Sequence, residues 1–122
     1  MGRPDRNRYF QRMFEQVMRA WQRGELEHPA VESFAAFHAR VSAAFSEVTG
    51  GGGQRTVLVF TSGGPIGVSV QRVLSAPPET AMRLNYRVKN ASITEFVFSD
   101  GRISLDGFNA IEHLPRELRT FR

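Results

Sequence analysis

The sequence predicts an α/β protein of one domain, with a mostly parallel sheet and an antiparallel hairpin near its C-terminus. Three observations carry this reading. Residues 56–61 (TVLVFT) form a continuous apolar, β-branched run, the pattern of a strand covered on both faces in a parallel sheet. Helical periodicity precedes and follows that run. Asp100-Gly101 then separates two further strand-like segments, a pairing that favours a tight type I′ turn.

Taken in order, Phe10, Met13, Phe14, Val17, Met18 and Trp21 recur at helical spacing, with Arg12, Glu15, Arg19 and Arg23 mostly opposite. An amphipathic helix is therefore expected over residues 7–23, with Gly24 as its stop. A connection with Pro29 leads to Ser33, a candidate N-cap, and Phe34, Phe37, Val41, Phe45 and Val48 mark a second helix to about residue 48. Four glycines at 50–53 suit a surface connection. After the 56–61 strand comes Ser62-Gly63-Gly64-Pro65, then Ile66, Val70, Val73 and Leu74 at helical spacing, with Pro65 suited to a first helical position. Pro77-Pro78 ends that helix and can open a short one, with Met82 and Leu84 as its apolar contacts. Residues 92–99 and 102–108 form the hairpin arms, 109–115 read as loop or short helix, and 116–122 as a basic, frayed tail, with 1–6 also flexible.

At 122 residues with 41% hydrophobic residues and ten Phe, the chain has the apolar content of one folded domain. No apolar run reaches the roughly 18 residues of a membrane-spanning helix, and residues 1–12 lack the hydrophobic stretch of a signal peptide. A cytoplasmic protein with no membrane partner is expected. Zero cysteines exclude disulfides and thiolate chemistry. The net charge of +4 lies wholly in residues 1–23, where six Arg face Asp5 and Glu15; the remaining residues carry ten charges of each sign. On a helix this excess need be only a solvated face, so nucleic-acid binding ranks last among the readings.

The candidate chemistry lies at the end of the 56–61 strand. Gly63 and Gly64 let the backbone approach an oxyanion, and the amides opening the next helix point outward with the positive end of its dipole behind them. The alternative is that two glycines merely allow tight strand-to-helix packing. His28, His38 and His113 are far apart and give no metal-ligand pair. Ser62 as a hydrolase nucleophile lacks the glycine that an elbow requires two residues earlier, where Phe60 stands. No cofactor is implied.

The order of motifs is similar to a known family. Trp21 and Gly24 lead to Glu32-Ser33-Phe34 and Arg40-Val41, then to Val57-Leu58-Val59-Phe60-Thr61-Ser62-Gly63-Gly64-Pro65-Ile66, Asn90-Ala91-Ser92-Ile93, and Phe108-Asn109 with His113-Leu114. From about residue 8 to 115 this resembles the C-terminal part of the histidine phosphatase superfamily, the phosphoglycerate mutase-like proteins. The resemblance implies a three-layer α/β/α domain, here a partial phosphoglycerate mutase-like fold, and a phosphomonoester hydrolase or mutase ancestry.

In that family a histidine in an arginine-histidine-glycine motif takes the phosphoryl group. No such tripeptide occurs in this chain, and the family's general acid has no counterpart, so no catalytic residue is assigned. Ser62 stands where the resemblance places a second phosphate-binding histidine; one branch of the superfamily is similar to this Thr-Ser-Gly-Gly-Pro-Ile form. The expected phosphate-binding residues are Ser62, Gly63, Gly64, Asn90 and Ser92, with Asn90 alternatively a plain turn residue. The expected ligand is phosphate or a phosphorylated small molecule, and little phosphatase activity is expected from the chain by itself. A parallel strand with bare edges invites association. The expected partner is thus a second copy, or the N-terminal portion that the resemblance implies is missing. A non-catalytic oligomerisation or phospho-ligand-binding module is the alternative.

Overall fold

The computed structural model describes residues 3–120. Four helices, a two-stranded antiparallel sheet and one 3-10 turn follow one another, and the chain divides into two compact units, Met1–Arg40 and Val41–Arg122.

In the first unit, helix α1 (Arg3–Gln22) begins four residues before the periodicity predicts. The physical reason is local. Pro4 falls in the first turn, where its missing N–H leaves no bond unmade, and Asp5 faces the positive end of the helix dipole. The helix closes as expected at Gly24, where the Gly24 N–H bonds the Trp21 carbonyl (3.1 Å) and the Glu25 N–H reaches back to Ala20 (2.9 Å). Trp21 anchors the unit. Its ring meets Phe34 edge-on at 5.3 Å and Phe37 at 5.6 Å, while Nε1 donates to the Glu32 carbonyl at 2.8 Å. Such aromatic pairs contribute about 0.5–1.5 kcal/mol beyond the area they bury.

Phe34 opens helix α2 (Phe34–Thr49), whose N-terminus is capped as predicted: Ser33 Oγ accepts the Ala36 N–H at 3.1 Å. Arg40 grips Glu32 with two bonds of 2.9 and 3.0 Å, and this hydrogen-bonded guanidinium holds the Glu32 carboxyl below its ordinary range.

In the second unit, α3 (Gly63–Val73) packs on the short helix α4 (Thr80–Asn85). Gly67 makes this contact possible. A Cβ there would lie 2.1 Å from the Ala81 carbonyl oxygen, so any side chain would force the helices apart. Val68 and Val70 are fully buried beside the seam, with Ala81 and Met82 opposite. Met82 is the expected apolar contact; Leu84 is only half-buried. The second half of α2 contributes buried Val41 and half-buried Phe45, whose ring meets Phe96 at 5.2 Å while the Arg72 guanidinium stands over its face at 5.7 Å.

The hairpin forms where Asp100-Gly101 predicts it. Strands β1 (Ile93–Ser99) and β2 (Arg102–Ala110) pair antiparallel with Ser99 opposite Arg102, and Gly101 takes the positive φ of 74° that the turn demands. Thr94, Phe96 and Phe98 share the covered face with Ile103 and Leu105, and their neighbours are exposed. Strand β2 extends through Asn109 into Ala110, two residues past the expected end, and residues 116–118 form a short 3-10 turn (Arg116–Leu118).

Two expectations are corrected. Residues 54–62 carry no regular secondary structure, and residues 56–61 join no ladder among the described residues. The reason is that a strand is defined by its hydrogen-bonded neighbours, and among the described residues none pairs with this one. Helix α3 also starts at Gly63, so Pro65 occupies its third position and not its first.

Two predictions follow from this packing. Gly67→Ala is expected to lower stability by about 1–3 kcal/mol, the usual cost of overpacking, and differential scanning calorimetry should show the corresponding drop in Tm. On the hairpin, Glu95 is raised above its ordinary value because it shares a hydrogen bond with the Asp106 carboxyl and feels its charge. A raised folded-state value means this pair stabilises the hairpin at acidic pH, and that contribution is lost as pH rises through the raised Glu95 value. Thermal melts across that range should show the loss in the wild type and its absence in Asp106→Asn.

Candidate functional site

The turn that leads into α3 is built by the first residues of that helix. Four backbone N–H groups at a helix start ordinarily lack a partner within the helix. Here Pro65 has none to offer, and the Ile66 N–H bonds the Ser62 carbonyl at 3.3 Å. That leaves the N–H groups of Gly63 and Gly64, neither of which donates to any other group of the described chain. Ser62 holds the N-cap position in extended backbone (φ −120°, ψ 179°), and its hydroxyl makes no capping bond. It is exposed, Gly64 is half-buried and Gly63 is buried. Three neutral donors in succession thus sit at the positive end of an eleven-residue helix.

Asn90 and Ser92 lie on the connection between α4 and β1. Exposed Asn90 donates from Nδ2 to Thr120 Oγ1 at 3.0 Å. The Ser92 N–H bonds the Lys89 carbonyl at 3.2 Å, and its hydroxyl is buried without a hydrogen-bond partner. No hydrogen bond joins these two residues to Ser62, Gly63 or Gly64 among the described residues.

The connection carrying Asn90 is organised by a residue to which the sequence assigned no role. Asn109, near the end of β2, accepts the Lys89 N–H at 2.7 Å through Oδ1 and donates to the Arg87 carbonyl at 2.7 Å through Nδ2. Its own N–H bonds Thr94 Oγ1 at 3.3 Å. Its φ of 63° is one that Asn tolerates better than most side chains. His113 adds a second tie, with Nε2 2.9 Å from the Ala91 carbonyl oxygen. Asn is the type that could have signalled this, since its short amide bonds two backbone groups at once, but its partners lie about twenty residues away.

The other histidines serve local structure. His28 Nδ1 accepts the Ala30 N–H at 3.0 Å, and the His38 ring lies 5.8 Å from that of Phe34. No group of three His, Cys, Asp or Glu among the described residues could hold a metal ion. An open groove of about 540 Å³ in the first unit, walled by Val17, Met18, Trp21, Leu26, His28 and Val31, contains none of the expected anion-binding residues. No described helix is long and apolar enough to cross a membrane.

This arrangement offers two backbone amides and a hydroxyl at a helix start. The model of the histidine phosphatase superfamily (branch 1) matches residues 6–111, and the chain belongs to that superfamily. No curated protein and no solved structure matches it.

The Asn109 clamp is testable. Asn109→Ala loses two side-chain bonds and leaves a Cβ-bearing residue without Asn's tolerance at positive φ, whereas Asn109→Gly loses the bonds alone. Amide exchange at Lys89 should quicken about 3- to 10-fold in Asn109→Gly, as for one lost hydrogen bond, and Asn109→Ala should be the less stable of the two.

Proposed function

We propose that this chain is a phosphate-cradling part of a histidine phosphatase domain that has little or no phosphatase activity by itself. The observation that supports it best is the pair of uncommitted Gly63 and Gly64 N–H groups at the head of α3, with the Ser62 hydroxyl beside them. An oxyanion placed there would receive three hydrogen bonds and the favourable end of the helix dipole. The ligand is phosphate or a phosphorylated small molecule, with Asn90 and Ser92 near the rim of the site once the domain is complete. The complete domain is a three-layer α/β/α sandwich in which residues 56–61 lie within a mostly parallel sheet, and its location is the cytoplasm.

Ser62 stands at the position where the family resemblance places a histidine, and the difference is one of charge. A serine hydroxyl donates one neutral bond, whereas a protonated imidazole donates a charge-assisted bond about twice as strong. Affinity and transition-state stabilisation are both weaker for it. The chain also lacks the arginine-histidine-glycine tripeptide of the family nucleophile. Incubation with p-nitrophenyl phosphate should give no turnover above buffer; robust turnover abolished by Ser62→Ala would overturn this reading. Inorganic phosphate at ten times its Kd should stabilise the chain by about 1.4 kcal/mol, and a Tm that does not move at any accessible phosphate concentration would remove the cradle.

A second reading is favoured by a separate observation. Val57, Leu58, Val59 and Phe60 are all exposed, Phe60 to 95%, so the chain also reads as an association module. A second copy, or a polypeptide that supplies neighbouring strands, would cover them.

A further inference from the structure

We propose that helix α1 pairs antiparallel with α1 of a second copy of this chain, about a twofold axis between Glu15 and Gln16. The proposal goes beyond the phosphate cradle and does not depend on it, and it leaves residues 56–61 free to lie in a sheet.

The first unit keeps an apolar stripe uncovered. Arg6, Phe10, Met13 and Val17 follow one another at intervals of four, three and four residues, which sets them on one face of α1. That face is open to solvent. Phe10 is 62% exposed and Tyr9, beside it, 67%, while Met13 and Val17 are exposed to about half. Toward its C-terminal end the face runs into the groove walled by Val17, Trp21, Leu26 and Val31. Toward its N-terminal end lies a second hollow of about 510 Å³, formed by Arg6, Asn7, Tyr9, Phe10 and Met13. A continuous apolar surface of this kind marks an association site.

The charges at its two ends indicate what covers it. Arg6 lines the N-terminal hollow, and Glu25 and Glu27 line the C-terminal groove. All three are exposed, and none makes an ion pair among the described residues. A surface positive at one end and negative at the other is self-complementary under a twofold axis. Antiparallel pairing brings Arg6 of each copy beside Glu25 of the other, and sets Phe10 level with Trp21 and Met13 level with Met18. Helix axes about 8–10 Å apart let such side chains interdigitate. Parallel pairing would set Arg6 against Arg6 and Glu25 against Glu25, where like charges repel. An anionic lipid surface or a nucleic acid would attract Arg6 and repel Glu25 and Glu27, so a second copy fits the whole face better than either. The apolar stripe supplies the affinity and the end charges supply the direction.

Charge reversal tests that direction. Both Arg6 and Glu25 are exposed, so Arg6→Glu and Glu25→Arg leave the packing of Trp21 on Phe34 and Phe37 intact. Light scattering should show a wild-type dimer at tens of micromolar. Each variant alone should need about 10-fold more protein to dimerise, since two exposed ion pairs become two repulsions. Mixed one to one, the two variants should dimerise as the wild type does, because one chain is then negative at both ends and the other positive. A monomeric wild type overturns the proposal. A dimer that neither reversal weakens overturns it too, since its contact then lies on another surface. Reversals that weaken the dimer without recovery on mixing overturn the antiparallel arrangement. The phosphate-dependent Tm reads the cradle separately, so its failure and the failure of this pairing are told apart.

Discussion

The backbone of α3 and that of α4 touch at Gly67, and much of the second unit depends on that contact. With no side chain at 67, the Ala81 carbonyl sits where a Cβ would otherwise be, and the two helices close over Val68, Val70 and Met82. The same seam fixes where α3 points and hence where its first amides are presented. Dispersion in so close a contact is the sum of many weak terms, and each weakens quickly when backbones separate. The core beside the seam is small, with Val68 and Val70 the only fully buried large side chains among the described residues. A single methyl group at 67 therefore bears on most of it.

Against this compact seam stands the segment immediately before α3. An apolar side chain left in water forgoes about 25 cal/mol for each Å² that burial would have removed, and Leu58 and Phe60 forgo most of theirs. Their backbone groups join no ladder among the described residues. Helices can satisfy their bonds within themselves, whereas a strand cannot, so the helices form while residues 56–61 stay irregular. The hairpin survives because β1 and β2 supply each other's partners across a two-residue turn.

The donors at the Ser62 turn are set by backbone geometry. Proline at 65 removes one donor, the Ser62 carbonyl occupies the Ile66 N–H, and Gly63 and Gly64 retain theirs. All are neutral, so the local field there is that of the helix dipole. The Asn109 clamp on residues 87–89 is of the same kind: an amide side chain replaces backbone partners that an irregular connection lacks.

The sequence by itself determined the local elements. Apolar spacing marked α1, α2 and α3, Ser33 marked a cap, Asp100-Gly101 marked the hairpin, and the order of motifs marked the superfamily. These signals were legible because their causes lie within a few residues: helical bonds span four positions, a cap three, a tight turn two. Tertiary structure decided the rest. Whether residues 56–61 are a strand depends on a neighbour that no local pattern supplies. Why 67 must be glycine depends on Ala81, and what Asn109 holds depends on a connection twenty residues earlier.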